Sequence, residues 1–182
     1  MTDDLQAETH SSKYMKTRLI IFGSLLLLFS CQQQQTSSAY PRWIGDIAFD
    51  PKTDRADFHL CHEDHIAQYF NYAEGPNYEG EKYAILEAFR QDYQAVEDDS
   101  QTGSLRIRFV VNCRGETDRF RIMGMDKDYQ PKDFRPEITD QLLDITRKLN
   151  GWKVISRHEV ALDYYQYLIF KLDKGQLTQI LP

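Results

Sequence analysis

Between Ser104 and Asn112 the chain reads SLRIRFVVN, with Leu105, Ile107, Phe109 and Val111 pointing one way and Arg106 and Arg108 the other. A period of two is the repeat of an extended backbone, so this segment is a strand with one apolar face and one polar face. Such a strand cannot stand alone; it needs hydrogen-bonded neighbours and a layer over its apolar side. Cys113-Arg114-Gly115 follows as a hairpin turn, where glycine takes the positive φ that tight connections demand. Phe120 and Ile122 then continue the apolar face in a second strand.

Helical spacing occurs on both sides of this hairpin. Tyr83, Ile85 or Leu86, Phe89 and Tyr93 recur at helical intervals across residues 81–94. Downstream, Pro136 and Glu137 open a helix in which Ile138, Leu142, Ile145 and Leu149 line one face. Asp140, Asp144, Arg147 and Lys148 take the outer face, and Asn150-Gly151 closes the helix. Residues 152–155 and 164–172 read as the last main strands, Asp173-Lys174-Gly175 as a turn, and residues 176–181 as a terminal strand. The expected fold is α+β: a two-layer domain over residues 79–182, its antiparallel sheet covered on one face by two helices. Residues 40–78 form an aromatic-rich N-terminal extension, with short strands expected at 43–49 and 56–60 and a helix at 62–72 opened by Glu63 and Asp64.

The start of the chain has a different character. Residues 19–29, LIIFGSLLLLF, are uncharged and too few to span a bilayer, and they follow Lys16 and Arg18. That is the pattern of a secretory signal peptide over residues 1–30. Leu28, Phe29, Ser30 and Cys31 resemble the bacterial lipobox, Phe29 being bulkier than the usual residue there, so Cys31 is the expected lipidation point. Asp3, Asp4 and Glu8 suit a signal poorly, and Met15, followed by KTR, is the expected true start. QQQQTSS then makes a polar tether across residues 31–39. Removal of residues 1–30 from the 182 leaves 152 residues, with 25 acidic and 19 basic side chains and a net charge of -6. A chain so charged is not built to grip nucleic acid phosphates. The expected location is the bacterial envelope, lipid-anchored at the outer membrane and facing the periplasm.

Once Cys31 is acylated, an oxidising compartment leaves Cys61 and Cys113 as the pair expected to form a disulfide, tying the extension to the hairpin turn. Closing a loop of about fifty residues contributes roughly 4 kcal/mol by the chain-entropy estimate. The same stretch holds His59, Cys61, His62, Glu63, Asp64 and His65. Imidazole and thiolate bind zinc or copper, and His62 and His65 at i and i+3 share a helical face, so His59, Cys61, His62 and His65 are the alternative reading, a metal site or enzyme centre. Their spacing fits no standard zinc motif, and Cys61 as a nucleophile lacks an identifiable oxyanion hole or acid partner. No catalytic residue, cofactor or metal is therefore expected. Arg106, Arg108, Arg119 and Arg121 alternate on the outer face of the hairpin, either as a basic stripe or as a solvated face paired with acids.

Taken in order, Gly80-Glu81, SLRIRFVVN, Cys113-Arg114-Gly115, residues 119–123, the helix from Pro136, Trp152 and YYQYLIF at 164–170 resemble the TonB C-terminal domain, the periplasmic module of bacterial energy transducers. The resemblance covers roughly the last hundred residues. It departs from the family in three respects: no inner-membrane helix, no proline-rich spacer, and no proline after Trp152. Proton-motive coupling is accordingly not implied. What the resemblance does imply is a binding mode in which an extended peptide lies beside an exposed strand and bonds to its backbone. Tyr165, Tyr167 and Ile169, or Leu177 on the terminal strand, mark the expected edge. The expected function is that of a non-enzymatic, periplasm-facing lipoprotein that binds an envelope protein or peptide.

Overall fold

A computed structural model describes residues 46–68 and 76–181. The expected signal peptide, Cys31, the expected tether and the first part of the predicted strand at 43–49 lie outside the described residues, as does the end of the predicted helix at 62–72. Helix α1 spans Glu81–Asp92 and helix α2 spans Pro136–Lys148. The strands are β1 (Gly103–Val111), β2 (Thr117–Met125), β3 (Ile155–Arg157), β4 (Val160–Leu162), β5 (Tyr164–Asp173) and β6 (Gln176–Leu181). The fold is α+β, with a four-stranded antiparallel sheet in the order β2-β1-β5-β6 and a separate β3-β4 hairpin.

The alternation in β1 does what its period requires. Leu105, Ile107, Phe109 and Val111 are wholly buried in one cluster with Ile85 and Phe89 of α1, Ile138, Leu142 and Ile145 of α2, and Leu168 and Phe170 of β5. Phe120 stacks on Phe109 with ring centroids 5.1 Å apart, and Trp152 packs edge-on against Phe109 and Tyr78. Tyr83 and Ile122, expected on apolar faces, are instead substantially exposed.

Turn chemistry sets the register. Gly115 has φ 79°, and a Cβ there would meet the carbonyl oxygen of Trp152 at 2.8 Å. The Asn112 side-chain oxygen accepts from the N–H groups of Arg114 and Glu116, closing the loop from inside. Lys174 and Gly175, both at positive φ, make the two-residue β5-β6 connection, the conformation that follows strand twist. Opposite Phe109, β2 bulges at Arg119, whose φ is 57°.

Residues 152–155 are not the strand the sequence predicts. Trp152 makes only an isolated bridge to Tyr78, and pairing begins at Ile155 in the β3-β4 hairpin. The extension is also irregular: residues 46–49 and 56–60 form no strand, and 62–68 form no helix. These residues nonetheless belong to the same compact unit as the rest from Ile47 onward. Ile47 and Phe58 bury against Val110 and Tyr165, which carry the opposite parity on β1 and β5 and so cover the second face of the sheet.

Candidate interaction site

The extension is anchored at a buried carboxylate. Asp163, fully buried between β4 and β5, accepts the backbone N–H of Cys61 at 2.8 Å and of His62 at 2.7 Å through one oxygen, and that of Cys113 at 2.9 Å through the other. It thus holds both ends of the Cys61–Cys113 disulfide, whose Cα atoms are 6.1 Å apart. Asn112 adds a bond from its side-chain amide to the His59 carbonyl at 3.1 Å. Sequence reasoning named the disulfide and missed Asp163. The signal was there: one acid set between the apolar runs VAL and YYQYLIF.

The same hub holds Cys61, the one cysteine of the alternative metal or enzyme reading. Cys61, Cys113 and Asp163 bring their sulfur and carboxylate atoms within 4.8 Å of one another, but both sulfurs are spent in the disulfide and the carboxylate is spent on three N–H groups. His59, His62 and His65 are exposed and do not converge with Cys61 into a ligand set among the described residues.

The four arginines of the hairpin are consumed in different ways rather than presented as a stripe. Arg121 forks onto Asp54 at 2.6 and 2.7 Å and also donates to the Ala48 carbonyl. The Asp54 carboxylate, its side chain wholly buried, is held down to about 2 chiefly by that guanidinium. Arg108 lies 4.0 Å over the Tyr165 ring and bonds to Gln68, and Arg119 reaches the Ile47 carbonyl at 3.4 Å. Arg106 sits between Met123 and Ile169 on the neighbouring strands, its guanidinium 3.7 Å from the Met123 sulfur. The extension therefore occupies most of the polar face of the hairpin.

The predicted edge must be corrected in the same way. β5 is an interior strand, paired with β1 along its length and with β6 from Ile169 to Asp173. Ile169 is paired on both sides and Tyr165 is bonded to Ala67, so neither is a free edge residue, and Tyr167 lies between them beyond the end of β6. Beyond the end of β6 the extension itself enters: the Ala67 N–H donates to the Asp163 carbonyl and the Tyr165 N–H to the Ala67 carbonyl, a parallel bridge. Part of the predicted slot is thus filled by the chain's own segment. Of the four named residues, Leu177 alone sits on an edge strand.

That edge is β6. Ile169, Lys171 and Asp173 pair with Leu181, Gln179 and Gln176, and the backbone of odd-numbered β5 residues faces β6, as the Tyr165 bond shows. In an antiparallel ladder the intervening residues turn their N–H and C=O outward, which here means Leu177 and Ile180. Among the described residues no strand pairs with that outer side. Alongside it runs a groove of about 360 Å³ between α1 and β6, lined by Leu86, Phe89, Arg90 and Tyr93 on one side and residues 176–180 on the other. Leu86 is partly exposed, Phe89 forms the buried floor, and the Tyr93 hydroxyl donates to the Gly175 carbonyl at 2.8 Å, fixing the wall to the β5-β6 turn. Arg90 is committed to both oxygens of Glu87. No helix among the described residues is long and apolar enough to cross a membrane. No protein-family model, curated protein or solved structure matches the chain.

Proposed function

We propose that this is an envelope lipoprotein, anchored through Cys31 and facing the periplasm, that binds an extended segment of another envelope protein by strand addition to the outer edge of β6. The observation that carries the reading is the composition of that edge. Natural edge strands are blunted by charge or proline, whereas β6, QLTQIL, has neither and lies beside an apolar groove. Backbone bonds at Leu177 and Ile180 would supply affinity, and alternate side chains of the guest would enter the groove over Phe89 and Tyr93. The ordered series of helix, hairpin, helix and terminal strands supports the TonB C-terminal-like reading in its binding aspect. The spent sulfurs and scattered histidines favour a binding role over metal chemistry or catalysis.

The test uses the full chain against random dodecapeptides displayed on phage. Peptides selected on the wild type should lose about tenfold or more in affinity for Leu177→Pro, which deletes an outward donor, and for Leu86→Glu, which puts a charge in the groove. Neither change touches a wholly buried side chain, so unfolding midpoints should stay close to wild type. Two folded variants that bind as tightly as the wild type would end the reading.

A further inference from the structure

Resting on that strand-addition reading, we infer that the guest is an extended segment with apolar side chains at alternate positions followed, toward its C-terminal end, by a basic residue. Three observations converge on this chemistry. The groove between α1 and β6 is apolar along the stretch where guest side chains would point inward, and the cation in its wall, Arg90, is held by Glu87 at 2.7 Å. At Gln176 the groove passes into a second depression lined by Glu97, Asp98, Asp99 and Lys174, so Gln176 belongs to both. In its lining Lys174 pairs with Asp99 at 3.0 Å, and Arg135 from outside it reaches Asp98 at 3.6 Å, leaving Glu97 without a cationic partner among the described residues and the end of the groove negative.

The polarity follows from the ladder. β6 runs from Gln176 to Leu181, and antiparallel pairs are the more stable per residue, so an added strand would run from Leu181 toward Gln176. Its C-terminal end therefore reaches the carboxylates. A lysine or arginine there meets Glu97 at the mouth of the groove, while an acidic residue meets like charge. Charge at an exposed rim sets selectivity and encounter rate more than raw affinity, and its effect fades with salt.

Three synthetic peptides test this on the full chain: alternating Thr-Val repeats ending in Lys-Lys, the same repeats ending in Glu-Glu, and the repeats preceded by Lys-Lys. At low salt the first should bind about five- to tenfold tighter than the other two, with the preference reduced in Glu97→Gln and largely lost at molar salt. Amide exchange at Leu177 and Ile180 is followed in the same samples. Equal affinities with both amides protected would overturn the basic-residue inference and leave strand addition standing. Preference for the peptide that begins with Lys-Lys would overturn the antiparallel polarity. If none of the three protects those amides, strand addition itself fails, and the inference with it.

Discussion

The side chain on which most depends is Asp163, because a buried carboxylate with three N–H donors cannot be removed without stranding those donors. Asp163→Ala should destabilise the protein by about 2–4 kcal/mol in urea titrations, and Asp163→Asn by somewhat less, since one oxygen remains to accept. Asp54 makes a second contribution that depends on pH. Its carboxyl titrates near 2 in the folded protein against an ordinary 3.8, so its stabilisation is complete above pH ~4 and is lost as pH falls toward 2. The shift corresponds to about 2 kcal/mol, and in Asp54→Asn the acid limb of the stability profile should flatten by that amount. Gln166 works in the other direction: among the described residues its side-chain carbonyl is buried without a partner, while its amide donates to the Tyr167 carbonyl at 3.1 Å. Gln166→Met should be neutral or stabilising by about 1 kcal/mol, which a thermal melt will read. None of these roles could be taken from the sequence. A lone Asp or Gln among apolar residues announces that it is unusual, but its donors come from segments about a hundred residues away, as Cys61 and His62 do for Asp163.

At the scale of elements, legibility followed periodicity. α2 was readable because Ile138, Leu142, Ile145 and Leu149 repeat at helical spacing, and all are buried. β1, β5 and β6 were readable from alternation and from the turns that join them. The extension was not, because it meets its backbone needs through side-chain carboxylates rather than through a ladder: Asp50 N–H donates to Asp54, Arg55 N–H to Asp118, and Cys61 and His62 N–H to Asp163. Short apolar runs held this way carry no period, so 56–60 resembled a strand and 62–72 a helix. The misplaced edge has a similar origin. Apolar content marked YYQYLIF as a strand, and only strand order decides whether it lies inside the sheet. The disulfide belongs to this scale too. Replacing both Cys61 and Cys113 by serine should cost up to roughly 4 kcal/mol, the chain-entropy value for a loop of this length, read as a lower denaturation midpoint.

For the molecule as a whole, a lipid tether at Cys31 and a binding edge at β6 are proposed together. Several acyl chains give lasting attachment where one chain gives only marginal attachment, so Cys31→Ser should release the protein from bacterial membranes into the soluble fraction. Mass spectrometry of the membrane-bound wild type should find residues before Cys31 absent and acyl mass added. Tethering would matter for function because a guest segment presented at the same membrane meets β6 at a raised effective concentration, so modest intrinsic affinity suffices. Everything functional then turns on whether the outer side of β6 is where a guest binds. Amide hydrogen exchange on the full chain, with and without a selected peptide, tests this most directly. A guest added to β6 slows exchange at Leu177 and Ile180 and leaves β2 at the opposite edge unchanged. Protection confined to β2 or to the extension, with Leu177 and Ile180 exchanging as in the free protein, would contradict it.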